Sequence, residues 1–180
     1  MNILQQGLTN LKTVECIQDL VDLLFHGNAI LDNVAYATDT YLNTPKLSAF
    51  IHHSISHILP LLADDITDYG KQNNDVFHRG AIPEESKEFT DIIDCLQDMY
   101  NLFLDIRKQV KLCIKTAIAN DDTDFEDFLR DFNYNKLSIY IKQSKTLLEG
   151  AKQYKLDNNL ADFNDDFEDY IGRTTTKSPS

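Results

Sequence analysis

Residues 89–126 read FTDIIDCLQDMYNLFLDIRKQVKLCIKTAIANDDTDFE. Phe89, Ile92 with Ile93, Leu96, Met99 with Tyr100, Phe103, Ile106, Val110, Cys113 with Ile114, and Ala117 recur three and four residues apart. That spacing lines one face of a helix with apolar side chains, and it persists as a near-heptad seam for about thirty residues. Asn120-Asp121-Asp122-Thr123 interrupts it, and Thr123 and Glu126 stand at capping-box spacing, so a new helix is predicted to start there. A link of two to four residues leaves its two helices no choice but to run antiparallel and side by side.

Downstream, the second helix of that pair carries Phe125, Phe128 with Leu129, Phe132, Leu137, Tyr140 with Ile141, Leu147 with Leu148, Ala151 and Tyr154. Upstream, Pro83-Glu84-Glu85 suits a helix start, proline needing no N–H at the first position and acids favouring the dipole. Residues 70–83, with Gly70, Asn73-Asn74, Gly80 and Pro83, read as a connection. A further helix is predicted from Pro45, after Thr44 as a cap, to Tyr69. The first segment follows Leu4, Leu8, Leu11, Val14, Ile17, Leu20, Leu24, Ile30, Val34 and Ala37, with Gly27-Asn28 leaving open one long helix or two.

Two helical hairpins joined by a longer connection form an all-α, antiparallel four-helix bundle with one crossover, a plain up-down-up-down bundle being the alternative. The predicted division is a bundle domain over 1–155 and an acidic aromatic tail over 156–180. Within that tail, Phe163, Phe167, Tyr170 and Ile171 are spaced as a short amphipathic helix or are incidental aromatics in a frayed end, and 173–180 reads as disordered.

The chain has 180 residues, enough for one substantial core, and a net charge of −12. No cluster of Lys and Arg stands out along it, which argues against direct contact with nucleic acid or an anionic membrane. No apolar run approaches the roughly 20 residues of a membrane span, and Met1–Gln6 lacks the features of a signal peptide. The expectation is a cytoplasmic protein. Cys16, Cys95 and Cys113 fall in predicted helices at no metal-type spacing and read as small apolar residues. There is no nucleophile elbow, phosphate-cradling loop or zinc-protease motif.

The stretch Ile51-His52-His53-Ser54-Ile55-Ser56-His57, followed by Pro60 and Ala63-Asp64-Asp65-Ile66-Thr67-Asp68, carries the chemistry. At about 100° per residue His53, His57, Asp64 and Asp68 share one face within roughly 60°, opposite Ile51, Ile55, Ile58, Leu62, Ile66 and Tyr69. Imidazole with carboxylate suits iron, zinc or manganese. The candidate metal ligands are therefore His53, His57, Asp64 and Asp68, with His52 and Asp65 as flanking alternatives. They point away from the chain's own core, and a solvated polar face is the plainer explanation. Pro60 would kink the axis between the two halves of the stripe. His78 near Asp75 is a lesser surface candidate, and His26 has no evident partner.

The acidic pair Asp64 and Asp68, the turn Arg79-Gly80-Ala81-Ile82-Pro83, and the two long helices flanking Asn120-Asp121-Asp122 together resemble the ferritin-like mini-ferritins, the Dps family that protects bacterial DNA during starvation. The resemblance covers roughly 45–155 and is one of layout and spacing. Where that family has a His-x-x-His-Trp segment, this chain reads Val34-Ala35-Tyr36-Ala37-Thr38-Asp39-Thr40-Tyr41. The resemblance implies a homo-oligomer, a dimer or larger. It also implies an iron-oxidising site between subunits, with Asp64 and Asp68 as its carboxylates. The function so implied is binding of iron or another divalent metal, with oxidative-stress protection by ferroxidase-type oxidation and sequestration. The alternative is a non-catalytic helical scaffold acting through protein–protein contacts.

Overall fold

The computed structural model describes residues 8–156, 160 and 162–175, with side chains described as far as Ile171; Leu4 and residues 176–180 lie outside them. Helix α1 is a single helix, Leu11–Thr40, started by Asn10, whose side chain accepts from the Lys12 amide at 3.0 Å. Gly27 does not break it. A Cβ there would stand 3.0 Å from Leu59 Cδ1 and 3.2 Å from Leu102 Cδ1, so glycine is what lets α1 lie close against two neighbours at once.

Helix α2 spans residues 45–72 in three pieces: an α segment Pro45–Phe50, a π turn Ile51–Ser56 and an α segment Ile58–Gln72. Proline takes the first position as predicted, but Thr44 does not cap: its hydroxyl turns back to the Thr38 carbonyl at 2.8 Å. The open amides of Lys46 and Leu47 are met instead by the Asn164 side chain, at 3.0 and 3.2 Å. Pro60 has no N–H for the Ser56 carbonyl, and Asn28 Nδ2 on α1 donates to that oxygen at 3.3 Å.

The connection is longer than the sequence suggested. Residues 73–91 form no helix, and Pro83-Glu84-Glu85 starts none. The reason is reach. From Asp75, paired with Thr9, to Lys87, whose carbonyl accepts from Asn33, the segment tracks α1 through Gln18–His78, Asp22–Gly80 and His26–Glu85. From Thr9, just ahead of α1, to Asn33 within it the span is about 36 Å at 1.5 Å per residue. Twelve extended residues cover about 40 Å, and coiled ones would fall far short. The connection thus crosses the full bundle, and the up-down-up-down alternative is excluded.

Helix α3, Ile92–Ala119, is capped by Asp91, whose carboxylate accepts from the Asp94 amide at 3.0 Å. It runs antiparallel to α1, with Cys113 beside Cys16 and Leu102 beside Gly27. The predicted capping box at Thr123 is not made. The cap residue is Asp122, and its carboxylate accepts from the Asn10 amide at 3.0 Å and from the Thr13 hydroxyl, while Glu126 pairs with Arg130. Helix α4 occupies 123–156 as Thr123–Asp131, a second π turn Phe132–Leu137, and Ser138–Leu156.

A fifth helix, α5 (Phe163–Thr175), takes residues 173–175 that read as disordered. It docks on α4 and the start of α2: Phe163 and Phe167 are buried, Gly150 admits the rings of Phe163 and Tyr170, and Lys46 pairs with Asp165 at 2.6 Å. Its aromatics join the same core as Leu20, Ile55, Phe103 and Leu147. No described helix is long and apolar enough to cross a membrane.

Candidate metal centre

The bundle interior is apolar along its length. Among the described residues the buried polar or charged ones are Thr13, Thr38, Thr44, Ser56, Asp75, Asn133 and Ser144. None is Glu or His, and the one carboxylate, Asp75, lies in the crossover accepting from Thr9. Asn133 Oδ1, in the π turn of α4, is buried without a protein partner. One neutral acceptor is too little for a di- or trivalent ion, which needs several anionic or nitrogen ligands. An iron centre inside the four helices does not fit these residues.

The outer face of α2 differs. His52, His53 and His57 bring one nitrogen each into a group whose members all lie within 4.8 Å of one another; His53 and His57 are exposed and His52 half-buried. Their ring centroids are 4.5 Å (His52–His57), 4.7 Å (His52–His53) and 5.7 Å (His53–His57) apart. The π turn brings the first pair together. Residues five apart in an α-helix are separated by about 140° around the axis, whereas here the His57 amide bonds back to the His52 carbonyl, five residues away, at 3.4 Å.

Behind His52 stands α1. Asp32 Oδ1 lies 3.0 Å from His52 Nδ1 and also accepts from Ser56 Oγ at 2.7 Å, and Asn28, one turn earlier, donates to Ser56 Oγ at 2.5 Å. An ionised carboxylate can only accept, so in neutral His52 the proton sits on Nδ1 and the Nε2 lone pair is free. Asp32, Ser56 and Asn28 were not singled out from sequence. The signal was a polar pair four apart on α1, Asn28 and Asp32, bracketing the apolar Ala29-Ile30-Leu31.

The acidic half of the stripe is engaged elsewhere. Asp68 pairs with Lys71 at 2.6 Å and Asp65 with Lys136 on α4 at 2.6 Å, while Asp64 is exposed. None of the three joins the histidine group within 4.8 Å. The lesser candidates are structural: His26 meets Glu85, and the His78 backbone binds Gln18, both pinning the crossover to α1. Asp94 and Asp98 hold Lys87. All three cysteines are buried thiols. Burial and the nearby acid Asp94 push Cys95 up to about 12, and burial followed by the neighbouring Cys16 raises Cys113, so neither is a ready thiolate. The sequence showed no cationic cluster, yet Arg107, Lys108, Lys111 and Lys115 line one open groove of α3 with Leu23, Leu104 and Leu112.

No family model and no curated protein matches the sequence. Solved structures do match the fold. An open pore ferritin from the hyperthermophilic archaeon Archaeoglobus fulgidus aligns with TM-score 0.76 at 12% identity, over 94% of this chain and 98% of that one. A PmFTN variant soaked in iron for 45 min aligns with TM-score 0.79 at 13% identity, over 86% of this chain and 98% of that one. The same variant soaked for 3 h gives 0.76 and 13%, over 82% and 93%. At such identities the likeness is one of architecture, and it agrees with the one-crossover bundle built above: the chain has the ferritin-like fold.

Proposed function

We propose that this chain is a ferritin-like protein that binds a divalent metal ion, iron among the candidates, on the outer face of α2. The observation that carries this is the meeting of three imidazoles there, in a bundle whose described buried residues include no ligand set. His53 and His57 supply nitrogen, and Asp64 and Asp68, further along the same helix, are carboxylates for meeting a second copy. The role is binding and sequestration, Dps-like in serving protection from oxidative stress by withholding a redox-active ion. Homo-oligomerisation is part of this reading, and Leu61 on α2 with Tyr134 and Ile139 on α4, 56%, 71% and 45% exposed, are apolar side chains a second copy would cover. Buried thiols suit a reducing cytoplasm.

The test is anaerobic Fe(II) and Zn(II) titration of the wild type and of a His53→Ala, His57→Ala, Asp64→Ala, Asp68→Ala variant. About one equivalent bound by the wild type and lost by the variant supports the reading; equal weak uptake by both contradicts it. A scaffold reading is favoured by one other observation, the cationic groove of α3 with exposed Leu104 and Leu112. A defined partner that dissociates on Lys108→Glu, Lys111→Glu, in a protein that takes up no metal, would put that reading first.

A further inference from the structure

The three imidazoles and the carboxylate behind them define a more specific site than the stripe read from sequence. We propose that the α2 centre is a nitrogen-only site of His52, His53 and His57, oriented by Asp32, for a borderline divalent ion such as Cu2+, Ni2+ or Zn2+ rather than for Fe2+. This rests on the reading that the outer face of α2 binds metal, and it names the ligands and the ion class.

Three observations carry it. The first is the ligand set. Within 4.8 Å the group contains histidine alone; of the acids further along the helix, the nearest, Asp64, is exposed but outside that distance, and Asp65 and Asp68 are held by Lys136 and Lys71. Imidazole without carboxylate suits the later, softer ions of the first transition row, and affinity for nitrogen sites rises from Fe2+ through Ni2+ to Cu2+.

The second is distance. Nitrogens about 2.0–2.1 Å from a tetrahedral ion lie about 3.3 Å from one another. A group within 4.8 Å has at most about 1.5 Å to close between any two nitrogens, and His53 and His57, being exposed, are the members placed to make that adjustment. A fourth position faces solvent and is left to water or an outside ligand.

The third is the support behind His52. A metal-bound histidine commonly donates its other ring N–H to a carboxylate, which fixes the tautomer and aims the free nitrogen. Asp32 is in that position at 3.0 Å from Nδ1, and it is itself held by Ser56 Oγ, which Asn28 in turn contacts from α1. His52 is thus the oriented member of the triad, and Asp32 is a positioning residue that does not touch the ion.

The experiment compares the full-length wild type with His52→Ala, Asp32→Asn and the double variant Asp64→Asn, Asp68→Asn, each checked for native helicity. Anaerobic titrations use Ni2+, Zn2+ and Fe2+, and Cu2+-loaded protein is examined by electron paramagnetic resonance. The expected result is one site per chain, Fe2+ at least about 100-fold weaker than Ni2+, and the Asp64, Asp68 double variant binding as the wild type does. His52→Ala loses at least about 100-fold, and Asp32→Asn loses about 10- to 100-fold. The Cu2+ spectrum changes from three coupled nitrogens to two on His52→Ala. Loss in the Asp64, Asp68 variant with retention in His52→Ala would overturn this ligand set and leave the metal-binding reading standing. Equal affinity for Fe2+ and Ni2+ would overturn the ion class. A wild type that binds no ion would overturn the underlying reading itself.

Discussion

Asp91 shows how one side chain can serve two helices at one end of the bundle. It caps α3 through the Asp94 amide and pairs with Lys155 near the end of α4 at 2.9 Å. The Lys155 contact is the largest influence holding its carboxyl below the usual carboxylate range, aided by the backbone amides it caps. A group with a lowered folded-state pKa contributes stability above its unfolded value, near 4 for an aspartate, and loses it as pH falls through the folded value. Asp91→Ala should therefore cost about 1 kcal/mol near neutrality, the usual worth of a helix cap. The gap from the wild type should narrow below about pH 4. Urea unfolding followed by circular dichroism across pH 2–7 checks both; a gap independent of pH would contradict the assignment. At this scale the sequence was only partly legible. It pointed to the His and Asp residues of α2, but Asp32 sits twenty positions before His52 and its role depends on how α1 and α2 pair. The same is true of Asn164, which caps a helix more than a hundred residues away.

Among the elements, α2 carries a feature that was written in its apolar spacing. Leu47, Ile51, Ile55 and Leu59 are each four apart and all buried. Three such steps drift about 120° around an α-helix, so they can share one core face only if a turn is widened. The π turn Ile51–Ser56 is that widening, and it is why a uniform 100° wheel put His52 at the flank and aligned His53 with Asp64 and Asp68. The wheel also predicted Ile58 in the core; Leu59 is the residue buried there. By contrast, the seam of α3 from Ile92 to Ala117 runs without distortion, because its threes and fours alternate as an undistorted helix requires; the corrections there are Phe89, which falls in the crossover, and Leu102, which is buried beside the predicted seam. Helix α5 was legible as a pattern of aromatics but not as a docked element, since its partners Phe50, Gly150 and Tyr154 lie on two other helices. Phe167→Ala removes a ring that is 1% exposed, and should lower global stability by about 3–5 kcal/mol. Denaturant unfolding measures it. A change under about 1 kcal/mol, the range of surface substitutions, would show α5 to be loosely held.

For the molecule as a whole, hairpin, crossover and hairpin followed from link lengths, and the solved ferritins share that layout over most of the chain. The crossover's start and end were misjudged, because Pro83-Glu84-Glu85 has a local preference for a helix that the span along α1 overrides. What the layout could not convey is where a metal would go. A ferritin-like bundle can hold ions between its helices, but here that space is filled by Leu24, Leu59, Met99, Phe103, Phe132 and their neighbours. The three imidazoles proposed as ligands stand on the outside of α2. The central claim is thus one of location, and anomalous diffraction from crystals soaked in Ni2+ or Zn2+ reads it directly. The account predicts one strong peak per chain about 2.0–2.1 Å from nitrogens of His52, His53 and His57, with none between the four helices. A peak inside the bundle, or strong peaks only at unrelated surface carboxylates, would contradict it.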